Sequence, residues 1–152
     1  ASLGGVESVA HIVVQCALVA ALHATSGAEV GGIILESATE RFLAARDERD
    51  DRREACSMAI LFAHLYNFRV LSTSLIYDFV RALVDSFGTV DIECLLLLLR
   101  QAGPLMRRDD PSALKDIVVA VQARANSMKA DGIATSFGAR VQYMLDSINE
   151  LK

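Results

Sequence analysis

The chain has 152 residues, of which 53% are hydrophobic and 22% charged, and this composition is typical of one globular domain built from packed helices. Its formal charge of −4 excludes a general attraction to phosphate backbones, so that any nucleic-acid contact needs a local basic patch or a partner. No membrane span is expected, because the longest weakly polar run, residues 9–22, is short and is interrupted by His11 and Gln15. We expect one domain over residues 1–152.

Apolar residues recur at helical spacing along the chain, and no segment shows the alternation that is typical of a strand. An all-α domain is therefore expected. The predicted helices are residues 6–25, 29–45, 52–67, 74–87, 90–102, 111–129 and 136–151.

Several of these boundaries carry residues that favour helix ends. Thr89 is predicted to cap the fifth helix at its start, and Gly103 and Pro104 are predicted to end it. Asp110 precedes Pro111, which is favoured at the first position of a helix. The charged segment 47–53 lacks apolar periodicity and is predicted to be a solvated helix end and loop.

The spacing of the cysteines suggests a repeat of two helices. Cys16, Cys56 and Cys94 stand 40 and 38 residues apart in the first, third and fifth helices. The leucines at 95–99 leave their helix no polar face, so we expect all of them, Leu97 included, to be covered. These features favour an α-solenoid of antiparallel helical hairpins over a four-helix bundle, which needs fewer and longer helices.

No group of residues has the pattern of a catalytic or cofactor site. The three histidines, His11, His23 and His64, lack a carboxylate or cysteine at ligand spacing, and we interpret them as structural. Gly31 and Gly32 lack the rest of a phosphate-binding motif and are better explained by close helix packing. The three cysteines are predicted to be buried thiols. The chain is therefore expected to be no enzyme and to bind no metal or cofactor.

Charged and polar side chains at two helix junctions are the candidates for partner binding, because turns of a solenoid display such residues. The candidates are Arg107, Arg108, Asp109, Asp110 and Lys115 near the junction of the fifth and sixth helices, and Asn67 and Arg69 after the third helix.

A local explanation stays open for most of these candidates. Asp109 and Asp110 suit the positive end of the sixth helix, and Arg100 suits the negative end of the fifth. Asn67 suits a left-handed cap of the third helix.

Several blocks of the sequence, taken in order, resemble one known family. They are residues 22–31 with 35–36, 63–68, 74–78, 91–93 with 95–99, 105–110 with 114–115, and 140–145. The family is the MIF4G fold, named after the middle domain of translation initiation factor 4G. The wording His64-Leu65-Tyr66-Asn67-Phe68 is most similar to its nucleolar branch, which acts in ribosome biogenesis. The resemblance covers about residues 18–152.

This resemblance implies a HEAT-like stack of helical hairpins, in the nucleus and nucleolus, that clasps a DEAD-box RNA helicase of the initiation-factor-4A type. The process that it implies is maturation of small-subunit ribosomal RNA, with any contact to pre-ribosomal RNA expected to be indirect. Compared with the family, the first helical repeat is missing or reduced and no second helical domain follows. A fragment of a longer protein is therefore expected.

Two alternatives to this function remain open. The domain could bind RNA directly through its basic residues, which are Arg69, Arg100, Arg107, Arg108 and Lys115. A steep dependence of RNA affinity on salt would support that hypothesis. The chain could also be a spliceosomal or translational member of the same fold, which the helicase paralogue bound to it would reveal.

Overall fold

The structure is a computed structural model that describes residues 4–47, 52–130 and 135–150. These residues form seven α-helices and contain no strand, which confirms the all-α prediction. The helices are α1 Gly4–Ser26, α2 Ala28–Asp47, α3 Arg52–Asn67, α4 Thr73–Ser86, α5 Thr89–Asp109, α6 Pro111–Ala130 and α7 Thr135–Glu150. The chain divides into two compact units, of which the first contains α1–α3 and the second α4–α7. No helix among the described residues is both long and apolar enough to cross a membrane.

In the first unit, each of the three helices packs against the other two. Phe42 of α2 and Phe62 of α3 meet edge to face with ring centroids 6.2 Å apart, an arrangement that aromatic pairs favour. Cys16 of α1 is fully buried and its thiol lies 3.8 Å from the carbonyl oxygen of Leu61. Gly27 ends α1 with a positive φ of 90°, a conformation that glycine adopts without steric cost.

Close packing of α1 on α2 explains one of the paired glycines in α2. A Cβ atom on Gly31 would collide with the imidazole ring of His23 in α1, so any larger residue here would force that ring to move. The predicted packing role is thus confirmed for Gly31. It is wrong for Gly32, whose Cβ position has no neighbour within 4 Å, because this residue lies on the exposed side of α2.

In the second unit, α5 packs against α4, α6 and α7, and α6 also packs against α4 and α7. The core is made of aliphatic side chains and methionines from all four helices. Among its most completely buried members are Ile76, Val80, Leu83, Leu95, Leu98, Met106, Val121 and Met144.

The prediction that Gly103 and Pro104 end the fifth helix is wrong, because α5 continues through both residues to Asp109. A proline inside a helix costs about 3 kcal/mol. Burial offsets this cost: Ala102, Gly103 and Met106 are all buried, so the apolar face of α5 extends beyond the proline. The predicted cap at Thr89 is also wrong. The N-cap is Gly88, whose main-chain N–H donates to the carboxylate of Asp91 at 2.9 Å.

The leucine run of α5 is covered only in part, whereas the sequence predicts full cover. Leu95, Leu98 and Leu99 are buried, whereas Leu96 and Leu97 are half-buried. The helical period turns positions 96 and 97 away from the core face, so the prediction of full burial for Leu97 is wrong.

The predicted burial of the cysteines is confirmed for Cys16 and Cys94, while Cys56 is half-buried. None of the three forms a disulfide bond within the described part of the chain. Most of the charged segment predicted at 47–53 lies outside the described residues.

Candidate partner-binding surface

The junction between α5 and α6 is fixed by a tyrosine from α4. The hydroxyl group of Tyr77 donates to the main-chain carbonyl oxygens of Asp110, at 2.8 Å, and of Met106, at 3.2 Å. Tyr77 is buried, so these bonds satisfy a hydroxyl group that would otherwise be costly to bury. The residues around the junction are therefore displayed on a rigid support.

Arg107 and Arg108 lie in the last turn of α5 and not in a loop after it, which corrects their predicted placement. Both side chains are exposed. Arg108 is only loosely paired, because its Nε atom lies 3.9 Å from the carboxylate of Asp109 and its side chain is 71% exposed. Two cationic side chains at the negative end of a helix are favourable for stability, and they also remain accessible to a partner.

Asp110 and Lys115 differ in their availability for binding. The carboxylate of Asp110 accepts a hydrogen bond of 2.9 Å from the main-chain N–H of Ala113, which makes Asp110 the N-cap of α6. Pro111 follows as the first residue of that helix, as predicted. Lys115, in the next turn of α6, is exposed.

Asn67 and Arg69 lie at the end of α3 in the first unit. The main-chain N–H of Val70 donates to the carbonyl oxygen of Leu65, and that of Arg69 to the carbonyl oxygen of Tyr66, both at 2.9 Å. This pattern is a Schellman motif, whose left-handed residue is Arg69 with φ 64°. The left-handed cap predicted at Asn67 is therefore displaced by two residues. Asn67 is half-buried in the last turn of α3, and Arg69 is exposed.

The continuation of α5 places Arg100 on the same helix as Arg107 and Arg108. Pro104, Arg107 and Arg108 follow Arg100 by four, seven and eight positions. The four residues therefore share one face of the helix, and all of them are exposed. We call this set of four residues the arginine face of α5. Sequence analysis groups Arg100 with Arg107 and Arg108 only as possible RNA-binding residues, and its prediction of a helix end at Gly103 and Pro104 leaves out their common face. The sequence does contain a signal for the longer helix, because the apolar positions 95, 98, 99, 102 and 106 continue the helical period past Pro104.

The titratable core residues have the properties of structural groups. Burial raises the pKa of the Cys16 thiol to about 11, so this thiol stays protonated at neutral pH and is a poor nucleophile. Burial lowers the pKa of His64 on α3, which favours the neutral imidazole. Within the described residues, no group of three or more histidine, cysteine or acidic side chains could hold a metal ion.

Comparison with known proteins identifies the family of the chain. The profile of the MIF4G domain matches residues 10–152. Among curated proteins, Nucleolar MIF4G domain-containing protein 1 is 36% identical over 137 residues in the mouse and 35% identical over 137 residues in humans. Each of these alignments covers 89% of this chain, and 16% of the mouse protein or 15% of the human protein.

A fission-yeast relative is also similar. Suppressor of glycerol defect protein 1 of Schizosaccharomyces pombe is 30% identical over 145 residues, which are 92% of this chain and 18% of that protein. The chain thus spans about a sixth of the length of the curated relatives that it matches. The names of the mammalian relatives agree with the nucleolar branch and the nucleolar location that the sequence predicted. Because the family profile covers nearly the whole chain, the chain belongs to the MIF4G domain family.

Proposed function

We propose that this domain is a non-catalytic helical scaffold that binds a DEAD-box RNA helicase of the initiation-factor-4A type during maturation of small-subunit ribosomal RNA. Membership of the MIF4G family and the nucleolar relatives support a helical scaffold in ribosome biogenesis. The finer statements, about the helicase and the small subunit, rest on the resemblance of the sequence blocks. The family match runs through both compact units, which supports treating them as one functional domain.

One observation favours a protein as the partner. Arg107 and Arg108 are exposed at the end of α5, where Tyr77 holds the chain in place. Exposed arginines on a rigid support are effective at binding a complementary acidic surface, because little conformational entropy is lost in the main chain. We assign the other candidates, Asp109, Asp110, Lys115, Asn67 and Arg69, to the same role as predictions.

The proposed mechanism is conformational coupling without chemistry in this chain. A scaffold that binds two arrangements of the helicase lobes with different affinity shifts their equilibrium by the ratio of those affinities. ATP hydrolysis remains the reaction of the helicase. The domain would change the rate of that reaction only by changing how often the competent lobe arrangement forms.

The test uses purified components. Isothermal titration of the domain with a purified helicase of the initiation-factor-4A type should give saturable binding, and the helicase ATPase rate should change in the presence of the domain. The domain alone should hydrolyse no ATP above background. Absence of binding to every such helicase of the nucleus would overturn the proposal.

A further inference from the structure

We infer that Arg100 forms one contact surface with Arg107 and Arg108, and that the arginine face of α5 docks on an acidic patch of a helicase lobe. The inference rests on the proposed function and adds a binding residue that the candidate set at the helix junction does not contain. It depends on the continuity of α5, which brings Arg100 onto the same exposed face.

The geometry suits one compact patch. Eight residues of α-helix rise about 12 Å, so the three arginines span roughly that distance along the helix. No acidic residue occurs in the sequence of α5 between Arg100 and Arg108. Among the described residues, the ion-pair contact of these arginines is the loose one between Arg108 and Asp109, whose side chain is 15% exposed. The face is therefore a local concentration of positive charge on a chain whose net charge is −4.

Helix-end electrostatics do not account for Arg100. The attraction between a cation and the negative end of a helix falls off within the last turn. Arg107 and Arg108 lie in that turn, whereas Arg100 lies nine residues before the last residue of α5. Arg100 also makes no ion pair with another described residue, and its side chain is exposed.

The net charge of the chain favours a protein partner over RNA for this face. A chain of net charge −4 has no general attraction to a phosphate backbone, so that the three arginines alone would have to hold it. An acidic patch on a protein needs only a few carboxylates, each of which can pair with a guanidinium group through two hydrogen bonds.

The inference is tested by charge reversal with a matched control. Arg100→Glu changes the charge of the face, and Arg81→Glu makes the same change on the exposed side of α4, where Arg81 pairs with Asp78 at 3.1 Å. Arg100→Lys keeps the charge. Each variant is titrated with a purified helicase of the initiation-factor-4A type, and separately with single-stranded RNA, at about 50 mM and about 300 mM salt.

We expect Arg100→Glu to weaken helicase binding at least about fivefold at low salt, with a smaller loss at high salt. Arg81→Glu and Arg100→Lys should stay within about twofold of the wild type. Circular dichroism and thermal melting check that each variant folds, and Arg100→Ala replaces Arg100→Glu if the latter does not fold.

The outcomes separate the inference from the proposed function. If the wild type binds the helicase and Arg100→Glu binds it equally well, the inference is overturned and the proposed function stands. If Arg100→Glu weakens RNA binding and leaves helicase binding unchanged, the face is an RNA site and the inference is overturned. If the wild type binds no helicase, the proposed function fails and the inference fails with it.

Discussion

The hydroxyl oxygen of Tyr77 lies 2.8 Å from the main-chain carbonyl oxygen of Asp110, and this contact joins α4 to the junction between α5 and α6. The same hydroxyl reaches the carbonyl oxygen of Met106. Two carbonyl groups at the end of α5 are thus held by a side chain from another helix. The main-chain positions of Arg107 and Arg108, which lie between these two groups, are thereby fixed.

Tyr77→Phe is expected to lower the free energy of unfolding by about 1 kcal/mol, because it removes the hydrogen bonds that the buried hydroxyl group donates to the carbonyl oxygens of Met106 and Asp110. Urea denaturation followed by circular dichroism measures the change. Tyr143→Phe is the matched control, since Tyr143 is exposed and its substitution should cost less than about 0.5 kcal/mol. Equal stability of the two variants would contradict the role given to Tyr77.

Reversal of Arg107 and Arg108 to glutamate is expected to weaken helicase binding at least about tenfold, or about 1.4 kcal/mol. Attraction to an acidic surface would become repulsion, and the loss should shrink as salt screens the charges. The fold should survive, because both side chains are exposed. If the affinity is unchanged at low salt, these arginines only stabilise the negative end of α5. The contact surface would then have to include other candidates, such as Asn67 and Arg69.

Leu98→Ala is expected to cost about 2–5 kcal/mol, because Leu98 is fully buried and its truncation leaves a cavity. The neighbouring change Leu97→Ala should cost distinctly less, about 1 kcal/mol, since Leu97 is half-buried. Chemical denaturation of both variants measures the difference. A larger loss for Leu97→Ala would show that the buried face of α5 is wrongly assigned.

The adjacent glycines of α2 should respond in opposite ways to alanine. Gly31→Ala is expected to destabilise the domain by about 1–3 kcal/mol, because the new methyl group would force the His23 ring out of place. Gly32→Ala should stabilise it by about 0.5–1 kcal/mol, since its position is open and alanine is the better helix former. Thermal melting of the two variants tests this pair, and a change of the same sign in both would contradict it.

His64 should make stability depend on pH. Because burial holds its pKa in the folded state below the ordinary value of 6.5, the unfolded chain takes up the proton more readily. The free energy of unfolding that the neutral His64 side chain contributes is fully present above about pH 6.5. It is lost as the pH falls through the pKa of His64 in the folded state.

This dependence is measured by comparison with a glutamine variant. The loss of unfolding free energy between about pH 7.5 and about pH 5.5 should be smaller in His64→Gln than in the wild type. His11→Gln is the control, since His11 is exposed and its Nε2 atom forms a hydrogen bond of 2.9 Å with Nε2 of Gln15. An equal pH dependence in the wild type and His64→Gln would exclude His64 as its source.

Local sequence signals predicted most of the fold. Six predicted helices agree with the observed ones to within two residues at each end, and Asp110 and Pro111 begin α6 as expected. These features depend on periodicity and on capping, both of which can be recognised in a short segment. The order of the sequence blocks also predicted the family, which the comparisons confirm.

The errors occur where packing overrides local preference. Pro104 is locally unfavourable in a helix, yet burial of Met106 and Ala102 carries α5 past it. Arg69 takes the left-handed position that sequence preference assigns to Asn67. The arginine face depends on seven further residues of helix that follow Ala102, and the local preference of Pro104 outweighs the apolar period that points to them.

An uninterrupted α5 also constrains how this segment can change in length. Each residue of an α-helix turns the following ones by about 100°. A single deletion between Leu99 and Met106 would therefore rotate Arg107 and Arg108 by that angle relative to the leucines before it. Met106 would turn with them and would leave the core face that Leu98 and Leu99 define. Homologous sequences should accordingly show no insertion or deletion within this part of α5.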